Sequence, residues 1–236
     1  MVERDAHRQW RILGEEPVVQ TPWFQVGLAD VELPGGRRLD HYLFRVPPVV
    51  LTAMQDDQDR VLLILRYRFI PGTWGWELPS GLANPAEDFA AAAARETLKE
   101  TGWEPESPEL LVRLEASAGL TDSVHHVYRA RRATHRGEPG YETVRMEWFA
   151  LADMPAMIAS GEIRAASTSA AVLMIGVDDP VSGPRSTAPG SQPPVDHQGL
   201  DRRAPRARHL RGMTSPDGAQ PHVTLVRDHC PASACA

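Results

Sequence analysis

The stretch ELPSGLANPAEDFAAAAARETLKETGW, Glu77 to Trp103, decides how this chain is read. Ala90 to Ala94 supply strong helix propensity. Asn84 is a good N-cap ahead of them, Pro85 is tolerated at a first helical position, and Gly102 is placed to close the helix as its C′ residue. On that helix Glu96 and Glu100 are four apart, so both carboxylates lie on one face about one turn from each other. Without a cation they repel. Mg²⁺ and Mn²⁺ take oxygen ligands and bind through one or two carboxylates plus substrate phosphates, which is what such a face offers. In the loop ahead, Gly81 permits close backbone approach, and Glu87 is a further acid for an outer-sphere or base role.

Outward from this segment the chain reads as strands, one helix, strands, then helices. Trp23 to Leu33 roughly alternates, Pro34-Gly35-Gly36 has the chemistry of a hairpin turn, and a return strand runs from Leu39 to Phe44. Val49 to Met54 and Val61 to Leu65 flank an acidic turn at Asp56 to Asp59 and are expected to form another antiparallel pair. Strands are expected again at Leu110 to Leu114, Val124 to Tyr128 and Val144 to Leu151, followed by a helical pair from Ala152 to Met174 broken at Gly161. This order implies an α+β fold with a mixed sheet, since a doubly wound fold alternates strand and helix more regularly. After about Gly176 nine prolines punctuate a stretch without hydrophobic period, and Arg202, Arg203, Arg206, Arg208 and Arg211 form a basic cluster. Residues 176–236 are therefore expected to be a disordered tail.

Gly81, five residues, Glu87, seven residues, Arg95-Glu96, then Glu100 and Gly102 resembles the Nudix box. From about Thr21 to Met174 the chain is similar to ADP-ribose-pyrophosphatase-type members of that family. The resemblance implies an α/β/α sandwich with a mixed central sheet and an extra N-terminal antiparallel sheet. Residues 1–48 would be N-terminal strands with a dimerisation role, and 49–175 the hydrolase domain. It also implies Mg²⁺ or Mn²⁺ held by Glu96, Glu100 and the Ser80 carbonyl, with Gly81, Arg95 and Gly102 structural in the box. Arg68 would touch substrate phosphate or ribose, a task suited to a guanidinium fork. Arg66 and Trp76 are its expected companions; Trp74 or Trp76 would stack a base while the other packs. Glu142 is the first choice for the catalytic base, with Glu87, Glu96 and Asp122 as other acids. The family pattern has two adjacent glutamates where this chain has Lys99-Glu100, and Lys99 is placed to pair with Glu96, so fewer or weaker metal sites are expected. The activity implied is hydrolysis of a nucleoside diphosphate derivative, ADP-ribose to AMP and ribose 5-phosphate. The rivals are a silent nucleotide sensor and a pyrophosphatase for another nucleotide.

Composition bounds these readings. The 236 residues carry a formal net charge of -6, which argues against a chain-wide nucleic-acid footprint. Residues 1–9 are charged, with no apolar run of signal-peptide or spanning length, so no membrane partner and a cytoplasmic location are expected. The two cysteines, Cys230 and Cys235, are both near the C-terminus, so no disulfide framework staples the body. His125 and His126 are adjacent on a strand and point to opposite faces, which weighs against a shared metal.

Overall fold

The computed structural model describes residues 9–141, 143–178 and 224–225. Three antiparallel strands come first: β1 (Arg11–Gln20), β2 (Gln25–Glu32) and β3 (Arg38–Arg45). The β2–β3 hairpin closes through Gly35 and Gly36, whose φ angles of 94° and 83° lie in the region that favours glycine. The sequence pattern gives no sign of β1. Gly14 and Pro17 break its alternation, its register shifts beside both, and most of its residues are exposed.

The body follows: β4 (Val49–Met54), β5 (Arg60–Arg68), β6 (Thr73–Glu77), β7 (Ser80–Leu82), α1 (Phe89–Thr101), β8 (Trp103–Pro105), β9 (Glu109–Leu114), β10 (His125–Ala130), β11 (Ala133–His135), β12 (Arg145–Ala150), α2 (Met154–Ser160) and α3 (Ala166–Asp178). One sheet runs β7-β4-β10-β9, with β4 parallel to β10 and its other pairings antiparallel; a second runs β12-β5-β6. Strand alternation sorts β4 into two layers. Val50 packs with Ala92 and Ala93 of α1, while Leu51 and Ala53 join Met154 and Met157 of α2 and Val172 and Ile175 of α3. The result is an α+β sandwich with a mixed sheet and a separate N-terminal antiparallel sheet.

Two local expectations are corrected. β4 and β5 do not pair as a hairpin: they share one bridge, Gln55↔Val61, next to the Asp56–Asp59 turn, and then diverge. Each finds other neighbours, β4 taking β7 and β10 while β5 takes β6 and β12, so their apolar runs are buried in two sheets. Asn84 is not the N-cap of α1. The helix starts at Phe89, and Asp88 caps it by accepting from the Ala91 N–H at 2.8 Å. Asn84 instead folds a turn, its Oδ1 accepting from the Ala86 N–H at 2.9 Å and its own N–H donating to Glu87 at 3.3 Å. Pro85 therefore stands in that turn. Of the proline-rich segment, α3 continues to Asp178, and Thr224–Leu225 (β13) pairs antiparallel with Val19 and Gln20 of β1. The rest of the expected tail, with its arginines and cysteines, lies outside the described residues.

Candidate active site

Glu96 and Glu100 are buried on one side of α1, at 6% and 5% exposure. The β7 strand runs across them. The Ser80 N–H donates to Glu100 Oε2 at 2.9 Å, and a Cβ on Gly81 would lie 2.4 Å from Glu96 Cδ, so only glycine leaves room for that carboxylate. It is the N–H of Ser80, not its carbonyl, that contacts Glu100 here. Each remaining carboxylate oxygen meets a cation: Arg66 Nη2 on Glu100 Oε1, Arg95 Nη1 on Glu96 Oε1, and Lys99 Nζ on Glu96 Oε2 at 3.2 Å. Burial pushes the Glu100 carboxyl above the usual carboxylate range, against the opposing pull of Arg66 and the Ser80 N–H. Among the described residues no cluster of three or more His, Cys, Asp or Glu is arranged around a metal position.

The far end of α1 is closed by a loop from the opposite side of the sequence. Gly102 has φ 73° and its N–H caps onto the Leu98 carbonyl, as the sequence implies. It has a second role, because a Cβ there would fall 1.8 Å from the Gly137 oxygen. The Gly140 N–H donates to the Lys99 carbonyl at 3.0 Å, and Thr143 Oγ1 donates to the Glu100 carbonyl at 2.7 Å. Those contacts satisfy carbonyls that a helix end leaves orphaned, and they fasten the loop within one turn of the two glutamates. Glu142, the first choice for the base, lies outside the described residues.

The other candidates are distributed unevenly. Glu87 is half-buried and fixed by Arg95 through two hydrogen bonds of 3.2 Å, which hold its carboxyl below the usual range. Arg95 thus bridges Glu87 and Glu96. Arg66 is buried with Glu100, so its charge serves that carboxylate and does not face an open cleft. Arg68 is half-exposed and pairs with Glu77 at 2.5 to 3.1 Å. Trp76 is corrected from a stacking role: it is a core residue, 9% exposed, edge-on to Phe149 at 4.7 Å with the Arg145 guanidinium 5.8 Å from its ring centre. Of the two, Trp74, half-exposed beside Tyr67, has the accessible ring. Asp122 is used structurally, accepting from Arg45 at 3.0 Å and the Val46 N–H at 3.1 Å. His125 and His126 do point apart, the first to Ser167 Oγ at 2.7 Å and the second onto Phe89. The Arg66–Glu100 pair and the anchoring of Gly140 and Thr143 on α1 are not legible in the sequence, since both join residues more than thirty positions apart.

With this geometry in hand, comparisons with known proteins bear directly on it. The NUDIX domain model matches residues 45–170, and a model described as the nucleoside diphosphate sugar hydrolase N-terminal domain matches residues 10–44. A CMP-5'-(N-acetyl-N-hydroxy-3-aminopropyl)phosphonate hydrolase of Streptomyces rubellomurinus is 37% identical, covering 71% of this chain and 82% of that protein. An ADP-ribose pyrophosphatase of Mycobacterium tuberculosis is 27% identical, covering 72% of this chain and 84% of that protein. A solved ADP compounds hydrolase superposes with a TM-score of 0.62 at 22% identity, over 71% of this chain and 92% of its own, and shares the fold. The domain model spans more than half of the chain, and the chain belongs to the Nudix hydrolase family.

Proposed function

We propose that this chain is a metal-dependent pyrophosphatase for nucleoside diphosphate derivatives, with ADP-ribose as first substrate and AMP plus ribose 5-phosphate as products. The observation that carries this reading is the pair of buried carboxylates on α1, backed by Gly81 and met on every oxygen by a cation or an N–H donor. That face demands positive charge, and its hard oxygens fit Mg²⁺ or Mn²⁺. Glu96 and Glu100 would hold the ion, with Ser80 beside them. When bound, the ion neutralises diphosphate oxygens and makes water a better nucleophile at neutral pH.

This chain's own residues do the rest. Gly81 keeps the approach to Glu96 open, and Arg66 holds Glu100 in place from the buried side. Arg68 presents a half-exposed guanidinium at the end of β5 for a substrate phosphate or ribose oxygen. Glu142 would accept the proton of the attacking water; its neighbour Thr143 is bonded to α1 at Glu100. Attack at one phosphorus expels the other phosphate, so one water is consumed for two products. A cleft of about 500 Å³ between Trp23, Phe24, Pro48 and Pro85 reaches the loop that carries Glu87 and would take the nucleoside end.

A second reading has its own support: the 37% identical relative is named for a CMP-linked phosphonate, so a cytidylyl substrate joins the panel. The proposal also includes a cytoplasmic homodimer built through residues 1–48, a catalytic unit of 49–175 and an appendage of 176–236. The exposed Ile12, Leu13 and Tyr42 of the N-terminal sheet, with Trp10 just ahead of it, support that pairing, and light scattering tests it. For the activity, ADP-ribose, a CMP-linked phosphonate, dinucleotides and nucleoside triphosphates are incubated with Mg²⁺ or Mn²⁺ and nucleotide release is followed. AMP from ADP-ribose supports the first reading and CMP the second. Binding of ADP-ribose without any release from the panel would make the chain a silent module.

A further inference from the structure

Lys99 stands where the resemblance leads one to expect a glutamate, and the charge balance around it is specific. Glu87, Arg95, Glu96 and Lys99 form one connected chain of ion pairs, two carboxylates with two cations, and beside it Glu100 is paired with Arg66. The set sums to zero. An acid at position 99 would change it by two charges, the charge of one divalent ion. The position of Lys99 also matters: its side chain is 66% exposed against 7% for Arg66, so it covers Glu96 from the solvent side, where an entering ion would arrive. Arg95, at the other Glu96 oxygen, is already matched by Glu87. Lys99 is thus the cation on Glu96 that has no second carboxylate of its own to match it.

We propose that the Lys99 ammonium replaces one divalent ion on the glutamate face, so that the chain binds one fewer Mg²⁺ or Mn²⁺ than it would with an acid at this position. The inference rests on the metal-dependent reading above. An ammonium and a divalent ion compete for the same carboxylate oxygen, and a cation 3.2 Å from that oxygen repels another entering there. Because the Lys99 side chain lies mostly in solvent, substitutions there leave the core untouched.

The test is a titration with Mn²⁺ alone on the full chain, counting bound ions by electron paramagnetic resonance, for the wild type, Lys99→Gln, Lys99→Glu and Glu100→Gln. The expected result is about one additional Mn²⁺ per chain for Lys99→Glu, and Mn²⁺ binding about tenfold tighter for Lys99→Gln than for the wild type. Glu100→Gln loses the wild-type ion. Equal stoichiometry in the wild type and Lys99→Glu, with the ion still lost in Glu100→Gln, overturns the role of Lys99 alone. Mn²⁺ binding that is absent throughout, or indifferent to Glu100→Gln, overturns the metal-dependent reading and this inference together.

Discussion

The N-terminal sheet and the sandwich behind it spend their side chains differently. In β1 to β3, Ile12, Leu13 and Tyr42 are exposed, as is Trp10 just ahead of β1, and only Gly27, Ala29 and Val31 are buried. In the sandwich β4 and the Val61–Ile64 part of β5 are almost wholly buried, and the charged groups Arg66, Glu96 and Glu100 are buried with them. Burying charge is costly unless each charge is paired, and here each is. The lesson is that polar chemistry is concentrated where paired charges are buried, at the seam of α1 and β7. The N-terminal sheet offers surface instead, joined to the body by backbone bonds of Phe44 to Leu120 and Asp122 and by Arg45, which bonds Glu15 on β1 and Asp122 in the body.

The largest test of that contrast is Glu100→Gln. Metal-dependent turnover is expected to fall by about 10³-fold or more, because a ligand charge is lost. The buried Arg66 guanidinium also loses its counter-charge, at a cost of about 3 kcal/mol, which a thermal melt reads as a drop of roughly 6–12 °C. Turnover like the wild type would remove Glu100 from the site. Next is Gly81→Ala, whose methyl must displace the Glu96 carboxylate. Mn²⁺ affinity and kcat/KM should fall about 10- to 100-fold with the melting temperature nearly unchanged, and unaltered kinetics would show that β7 does not shape the site.

Arg45→Ala probes the other region. It removes two partly exposed ion pairs while the backbone bonds of Phe44 to Leu120 and Asp122 stay in place, so about 1 kcal/mol is expected, read as faster amide exchange in β1 to β3 and not in β4 or β5. Uniform loosening would erase the distinction between the two regions. The smallest effect is a pH dependence on the sandwich side. Burial holds His125 and His126 below their ordinary 6.5, so below that pH the unfolded chain takes up protons that the folded chain refuses. Stability is full above pH 6.5 and declines as pH falls toward the depressed values. Melts from pH 7.5 to 5.5 should show this slope, and His125→Gln should flatten it.

What the sequence made legible follows the same division. Glu96, Glu100, Gly81 and Gly102 stand out because helix period and turn chemistry are local, and the structure brings Glu96, Glu100 and Gly81 together while Gly102 ends the same helix. β2, β3, β4, β5, β9, β10 and β12 were legible from their apolar runs. β1 was not, since an edge strand exposed on most of its length and interrupted by Gly14 and Pro17 carries no alternation to read. Asn84 and Asp88 are both good caps, and only packing of Phe89, Ala92 and Ala93 decides between them. The splaying of β4 from β5 depends on partners some seventy residues away, and so does the burial of Trp76 against Phe149. Non-local pairing of this kind leaves no mark in a short window of sequence.

The central claim is that the α1 face holds a divalent ion against the scissile diphosphate. Crystals soaked in Mn²⁺, with diffraction collected at the manganese edge, test it most directly. An anomalous peak within about 2.5 Å of carboxylate oxygens of both Glu96 and Glu100 is the predicted result. A fully ordered site with both carboxylates still bonded to Arg66, Arg95 and Lys99, and no peak beside them at saturating Mn²⁺, would contradict it.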